Sequence, residues 1–557
     1  MTYWISFANW TRPSRNAFFS PRRTLFTACS VGLIALACTA QAQSVRVAVD
    51  LNQNINVFSP ISLGMPAAMF DAASFNPAAA PYLRLAGATT IRYPGNAGTA
   101  DLYHWSTNTV TKYRASEPPY VNPDANFGNF ARNLDKFGTA LLVVNYGTNL
   151  DGNGGADAGE AAAWVAYANG GPDDARPIPR DKDGDDWHTV GFWATIRSQN
   201  PLPTDDGFNF LRIGHPKPFG IFLWQIGDQV FNNGFYGGKQ TGEPDLHAPA
   251  PSSARDLAKL EKNQNLSPTF YGARLNDFTR MMKSVDPTIR VGASLALVDG
   301  SPSDADWNTR IWALDWDSKV LKAACPAIDF VTIGWQAFSL LPPDWKTLNE
   351  ADVLGQNRVK ISKIVGGLLD MYKGSCPKDH LPRIAFAPAA IPTWPHIEHP
   401  VMEALWVADT YAVLTESGTQ NTSWSEMTGD AVISADLKKF GPAYMGMEML
   451  HLLARNPGDA FVRADSSSQT LKVHATRRRD GVIGLMLIND DPKNEISAAV
   501  TLSGVSAVQK ARRFDYGQAQ YSAGTSLVQS ELTGVGDKFA VTVPAYTVTV
   551  VLLAPGN

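Results

Sequence analysis

Phe219-Gly220-Ile221-Phe222-Leu223-Trp224-Gln225-Ile226-Gly227-Asp228-Gln229-Val230-Phe231 decides the fold. Apolar, β-branched and aromatic residues run without polar alternation and stop at Gly-Asp-Gln. The chain then opens into Asn232-Asn233-Gly234-Phe235-Tyr236. A strand buried on both faces reads this way, because helices cover both sides of a parallel sheet. The polar stop marks the carboxyl end of the strand, where β/α barrels place their chemistry.

Working outward, seven more runs resemble strands: 61–65, 89–93, 140–145, 289–293, 330–335, 384–387 and 422–426. Helical patterns are expected between most of them, at 124–137, 159–169, 267–285, 356–372, 401–417 and 441–455. Strands alternating with helices indicate a parallel sheet, and eight such units indicate a (β/α)8 TIM barrel. From residue 459 the pattern changes to short strands separated by turn residues, at 470–475, 482–487, 497–502, 511–516 and 540–551. That pattern suits an antiparallel β-sandwich. Residues 45–51 alternate (Val45, Val47, Val49, Leu51) and need sheet partners, which the eight barrel strands do not leave free. The expected division is a leader at 1–42, a strand of the sandwich at 43–55, the barrel at 56–457 and the C-terminal sandwich at 458–557.

Composition narrows the function. The chain has 557 residues and a formal charge of −4, with no basic tract, so nucleic acid is not an expected partner. Fifteen Trp and sixteen Tyr supply core, or platforms for sugar rings. Arg22-Arg23, the apolar run 25–37 and Ala40-Gln41-Ala42 read as an export signal cleaved after Ala42. That run is too short to remain as a membrane span. The route, Sec or twin-arginine, stays open, and the expected location is periplasmic or extracellular. Cleavage leaves Cys325 and Cys376, just before the sixth and seventh strands, at one rim of the barrel. A disulfide between them is expected in an oxidising compartment, the alternative being two buried thiols. The acidic run Asp181–Asp186 lacks the spacing and closing Glu of a calcium loop and reads as solvated. No cofactor and no metal are expected.

The decisive stretch resembles the fourth strand of clan A glycoside hydrolases, most closely the family 51 type (α-L-arabinofuranosidases and relatives). Those strands read Trp-Glu-Ile-Gly-Asn-Glu, the last Glu being the general acid/base. Arg92-Tyr93-Pro94-Gly95-Asn96 with Tyr103-His104-Trp105, the segment 143–148, and Trp187 to Trp193 resemble further segments of that family, in the same order. The resemblance implies two carboxylates about 5 Å apart, one after strand four and one after strand seven. This chain has Gln229 at the first position. At the second, the run Ala385-Phe386-Ala387-Pro388-Ala389 puts Ala387, and no Asp or Glu lies between Arg383 and Ile397. Asp228 and Glu398 are the nearest substitutes. Glu398 equally suits the first turn of the following helix, and His396-Ile397-Glu398-His399 lacks a distant third ligand for a metal. The resemblance implies a sugar site bordered by Arg92, Asn96, His104, Trp105, Asn145, Trp335 and Trp424, each aromatic being equally readable as core. Three functions fit: an exported protein that binds oligo- or polysaccharide with lost or greatly reduced hydrolysis, a working glycosidase with relocated carboxylates, or a structural protein of envelope or matrix.

Overall fold

The computed structural model describes residues 44–555, apart from 70–71, 96–99, 113–120, 181–183, 237–243, 251–252, 297–306, 337–348, 391–396 and 506–507. The leader, Asn96, His396 and the first half of the acidic run lie outside the described residues.

Eight parallel strands close a barrel in sequence order. They are Leu63–Pro66, Thr90–Tyr93, Thr139–Val144, Leu223–Ile226, Arg290–Leu295, Phe330–Gln336, Arg383–Ala390 and Asn421–Ser423. Strand four is buried throughout. It ends because Gly227 takes φ 68°, where a side chain is strained and a Cβ would stand 2.4 Å from Val230 Cγ2. The lumen is plugged by Ile61, Leu141, Val143, Leu223, Phe330 and Ala385. Gly292 makes room for the plug, since a Cβ there would lie 2.3 Å from the Phe330 ring.

Helices surround the strands. Helix Pro268–Val285 has Pro at its first turn and Ser267 as N-cap, its side chain accepting from the Phe270 amide. Besides several short helices, two of eight residues or more escape the pattern in the sequence. Val190–Ser198, capped by Thr189, lies between strands three and four, beyond the helix expected at 159–169. Trp307–Ala324 joins strands five and six. The helix Met402–Glu416 is buried on nearly every side. Such a helix is covered all round; here the barrel lies on one side and the β domain on the other.

The second sheet has nine strands. Strand Val45–Val57 pairs antiparallel with Ala460–Ser466 and parallel with Ile496–Ser503. It runs two residues past the expected boundary at 55, with register shifts between Asp50 and Asn56. Val47, Val49 and Leu51 meet Leu485, Val500, Val541 and Val551 in the core of a curled, sandwich-like layer. The single run read at 540–551 is two strands, Lys538–Val543 and Thr547–Pro555. Pro544, which has no N–H, stands at the break. The eighth barrel strand is shorter than the expected 422–426 and leaves Trp424 beyond its end. Cys325 and Cys376 are joined, with Cα atoms 5.4 Å apart, each following the helix that precedes strand six or seven.

Candidate ligand site in the barrel mouth

Strand alternation sets which side chains enter the lumen. Trp224 meets Trp164 of the helix Ala158–Asn169 edge-on at 5.9 Å, so it faces the helix layer. Leu223 and Gln225 therefore point inward. On strand six, Val331 and Ile333 join the helix-side core, while Phe330 plugs the lumen. Thr332 therefore also points inward.

Asp101 holds the mouth together. Its carboxylate accepts the Tyr146 amide after strand three and the Asp228 amide after strand four, both at 2.8 Å. The side chain is buried, which raises its pKa to about 8; the two amides oppose the shift, and Asp228 and Asp245 add to it. Nothing in the sequence marks Asp101, a lone acidic residue in the short 3-10 helix Ala100–Leu102 whose partners are backbone groups of distant segments.

Asp228 Oδ1 lies 2.9 Å from Arg92 Nη2, both residues being buried. Gln225 Nε2 donates to Gly227 O at 2.8 Å and to Asp228 Oδ1 at 3.4 Å. Gln229 sits in the left-handed region with φ 51°. Its amide donates to Ser294 Oγ of strand five at 3.0 Å, and its Oε1 accepts from Asn232 at 3.3 Å. Across the barrel Ala387 is buried, inside a register shift between Phe386 and Ala389. The ends of strands four and seven thus hold an amide at Gln229 and a methyl group at Ala387.

Besides the ion-paired Arg92 Nη2, four buried polar atoms here have no hydrogen-bond partner among the described residues: Arg92 Nε, Gln225 Oε1, Asp228 Oδ2 and Thr332 Oγ1. They belong to strands two, four and six and to the loop after strand four. Unpaired buried groups are costly, and each of these four calls for a partner that the described residues do not supply.

The other candidates divide. Asn145 closes on its own loop, with Nδ2 on Thr148 Oγ1 at 3.1 Å and Oδ1 accepting the Thr148 amide at 3.1 Å. His104 is buried between Glu160 Oε2 at 2.8 Å and Thr111 Oγ1 at 2.7 Å. Trp105 stacks on Trp164 at 5.5 Å and donates to Glu160 O, as a core residue does. Trp335 stacks on Trp406 at 5.1 Å, and Trp424 meets Trp406 edge-on. Trp406 is on the helix Met402–Glu416, so both rings face the helix layer rather than an open cleft. Their indole N–H groups have no partner among the described residues. Glu398 is exposed and stands before the helix Met402–Glu416, whose first-turn acid is Glu403, so it is no part of that first turn. Its neighbour His399 is tied to Glu350, its ring nitrogen at 2.8 Å and its amide at 2.7 Å.

The same architecture occurs in solved glycoside hydrolases. The α-L-arabinofuranosidase of Thermotoga maritima, solved with arabinose, superposes with TM-score 0.61 at 14% identity, over 91% of this chain and 99% of that one. A family 51 α-L-arabinofuranosidase from Bifidobacterium longum gives 0.62 at 15%, over 92% and 100%. A family 44 xyloglucanase from Paenibacillus polymyxa gives 0.55 at 11%, over 92% and 99%. At these identities the likeness is one of fold. No family model matches the sequence, and no curated protein matches it.

Proposed function

We propose that this chain is an exported carbohydrate-binding protein on a glycoside hydrolase scaffold, with hydrolysis lost or greatly reduced. The observation that carries the proposal is the pair of residues at the ends of strands four and seven, Gln229 and Ala387. An amide does not protonate a leaving oxygen, and a methyl group does not attack an anomeric carbon. Asp228 is held to Arg92 and Glu398 is exposed, and no contact brings the two together among the described residues. This disfavours a relocated pair.

Sugar binding is supported by the four unpartnered atoms. Arg92 Nε donates, Gln225 Oε1 and Asp228 Oδ2 accept, and the Thr332 hydroxyl does either. A sugar's vicinal hydroxyls offer donors and acceptors in the same alternation. Export is supported by the leader pattern at 1–42 and by the Cys325–Cys376 disulfide, which suits an oxidising compartment.

The test is calorimetric titration of the purified mature chain with arabino-, xylo- and gluco-oligosaccharides, beside a hydrolysis assay on the same panel. Binding without turnover is the expected result, and Arg92→Leu should abolish the binding. Turnover that disappears in Asp228→Asn or Glu398→Gln would establish a relocated glycosidase. Neither binding nor turnover would favour a structural role.

A further inference from the structure

His474 lies on the strand Leu471–Arg477 of the β domain and has no exposed surface. Its Nδ1 is 2.7 Å from Glu416 Oε1 and its Nε2 is 3.1 Å from Asp409 Oδ1. Asp409 and Glu416 are seven residues apart on the helix Met402–Glu416, two turns, and so share the face turned to the β domain. A neutral imidazole has one N–H and one lone pair. Here both ring nitrogens face carboxylates, and only the doubly protonated ring satisfies both contacts.

The surrounding charges balance around that form. From the helix Asn357–Ser375, Arg358 Nη1 reaches Glu416 Oε2 at 2.9 Å and Asn357 donates to Asp409 Oδ2 at 3.0 Å. From the strand of His474 itself, Lys472 pairs with Asp490 at 2.6 Å. Across the sheet His474 faces Met486, which carries no charge. Asp409, Glu416 and Asp490 are thus matched by His474, Lys472 and Arg358, and removing the proton leaves one buried anion without compensation.

We propose that the His474 imidazolium is an alkaline-sensitive latch: it holds the β domain against the helix Met402–Glu416 at neutral and acidic pH, and the contact loosens when the ring loses its second proton. Burial works against the charged ring most strongly, yet Glu416 and Asp409 outweigh it and hold the pKa above the ordinary 6.5. Burial likewise raises Asp409, but Lys472, His474 and Asn357 bring it down to about 2. A base with a raised folded pKa stabilises fully below its unfolded value, about 6.5, and the effect is lost as pH climbs through the folded value. The latch therefore opens on the alkaline side. The same helix carries Trp406, against which Trp335 and Trp424 pack at the carboxyl ends of strands six and eight, so loosening it reaches the barrel mouth.

The experiment is hydrogen exchange of segments 402–416 and 471–477, with melting temperature, on the mature chain between pH 5 and 10. The wild type should lose protection in both segments and melt earlier as pH rises above neutral. His474→Gln should show neither change with pH, and at pH 6 should exchange faster than the wild type. Should that variant not fold, Glu416→Gln decides: with one carboxylate gone, the alkaline edge should move to lower pH. An edge that is unmoved or moves upward in Glu416→Gln, or an alkaline profile shared by wild type and His474→Gln, would overturn the latch.

Discussion

Asp101 offers the sharpest test of how the barrel mouth is held. Two backbone amides, those of Tyr146 and Asp228, end on its carboxylate at 2.8 Å, in a place without access to water. Asp101→Ala removes both acceptors. A buried donor left unpaired costs about 1–3 kcal/mol, so each amide should open more often by about 5- to 150-fold. Asp101→Asn keeps one oxygen and turns an NH2 towards the other amide, so one of the two hydrogen bonds survives. Burial raises the Asp101 pKa, and the two amides it accepts oppose the shift. With both hydrogen bonds in the wild type, one in Asn and none in Ala, the ranking should be wild type, then Asn, then Ala. The assay is residue-resolved hydrogen exchange of Tyr146 and Asp228, which reports the local opening directly and does not require the whole chain to unfold in one step. Unchanged exchange at both amides in Asp101→Ala, or faster exchange in Asn than in Ala, would refute the account. Loss of the clip should also weaken any sugar affinity that depends on Asp228, whose amide Asp101 holds, and on Arg92, which pairs with Asp228.

Three further outcomes are expected. Gln229→Glu or Ala387→Glu alone should give almost no hydrolysis of aryl arabinofuranosides, because the two groups act as a unit; the double variant should exceed either single one, with acid/base catalysis alone supplying about 10²–10⁴-fold in a well-placed site. An equal rate in single and double variants would show that the carboxyl ends of strands four and seven do not face a common substrate. Cys325→Ser with Cys376→Ser opens a loop of 51 residues and should lower stability by about 4 kcal/mol on the chain-entropy account, read from thermal or urea unfolding with and without reductant; a wild type insensitive to reductant after unfolding would contradict it. The alkaline loss of protection in wild type, absent in His474→Gln, is the pH-dependent test of the latch.

The barrel was legible because parallel strands covered on both faces become unbroken apolar runs, as in Leu223–Ile226. The strand Val45–Val57 was legible because one of its faces is core and the other solvent, which writes Val47, Val49 and Leu51 into alternate places. Val528–Leu532 was not, being almost wholly exposed at the sheet edge and free of any apolar rhythm. The absence of an acidic side chain at Gln229 and Ala387, and anywhere in the run from Arg383 to Ile397, is also a sequence property.

Orientation was decided only by the tertiary structure. Trp335 and Trp424 end strands at the mouth, and nothing in their identity tells a sugar platform from a helix-facing ring; the packing of Trp406 between them settles it. His104 looks like a mouth residue until Glu160 and Thr111 close on both its nitrogens. Asp101 and His474 matter because of groups 45, 127, 58 and 65 residues away along the chain. Local pattern fixes which elements form, since burial on one face or two is written into hydrophobic spacing. A polar side chain's partners are brought to it only by the closure of the barrel and the docking of the β domain, and hydrogen bonds across such distances leave no periodic trace in the sequence.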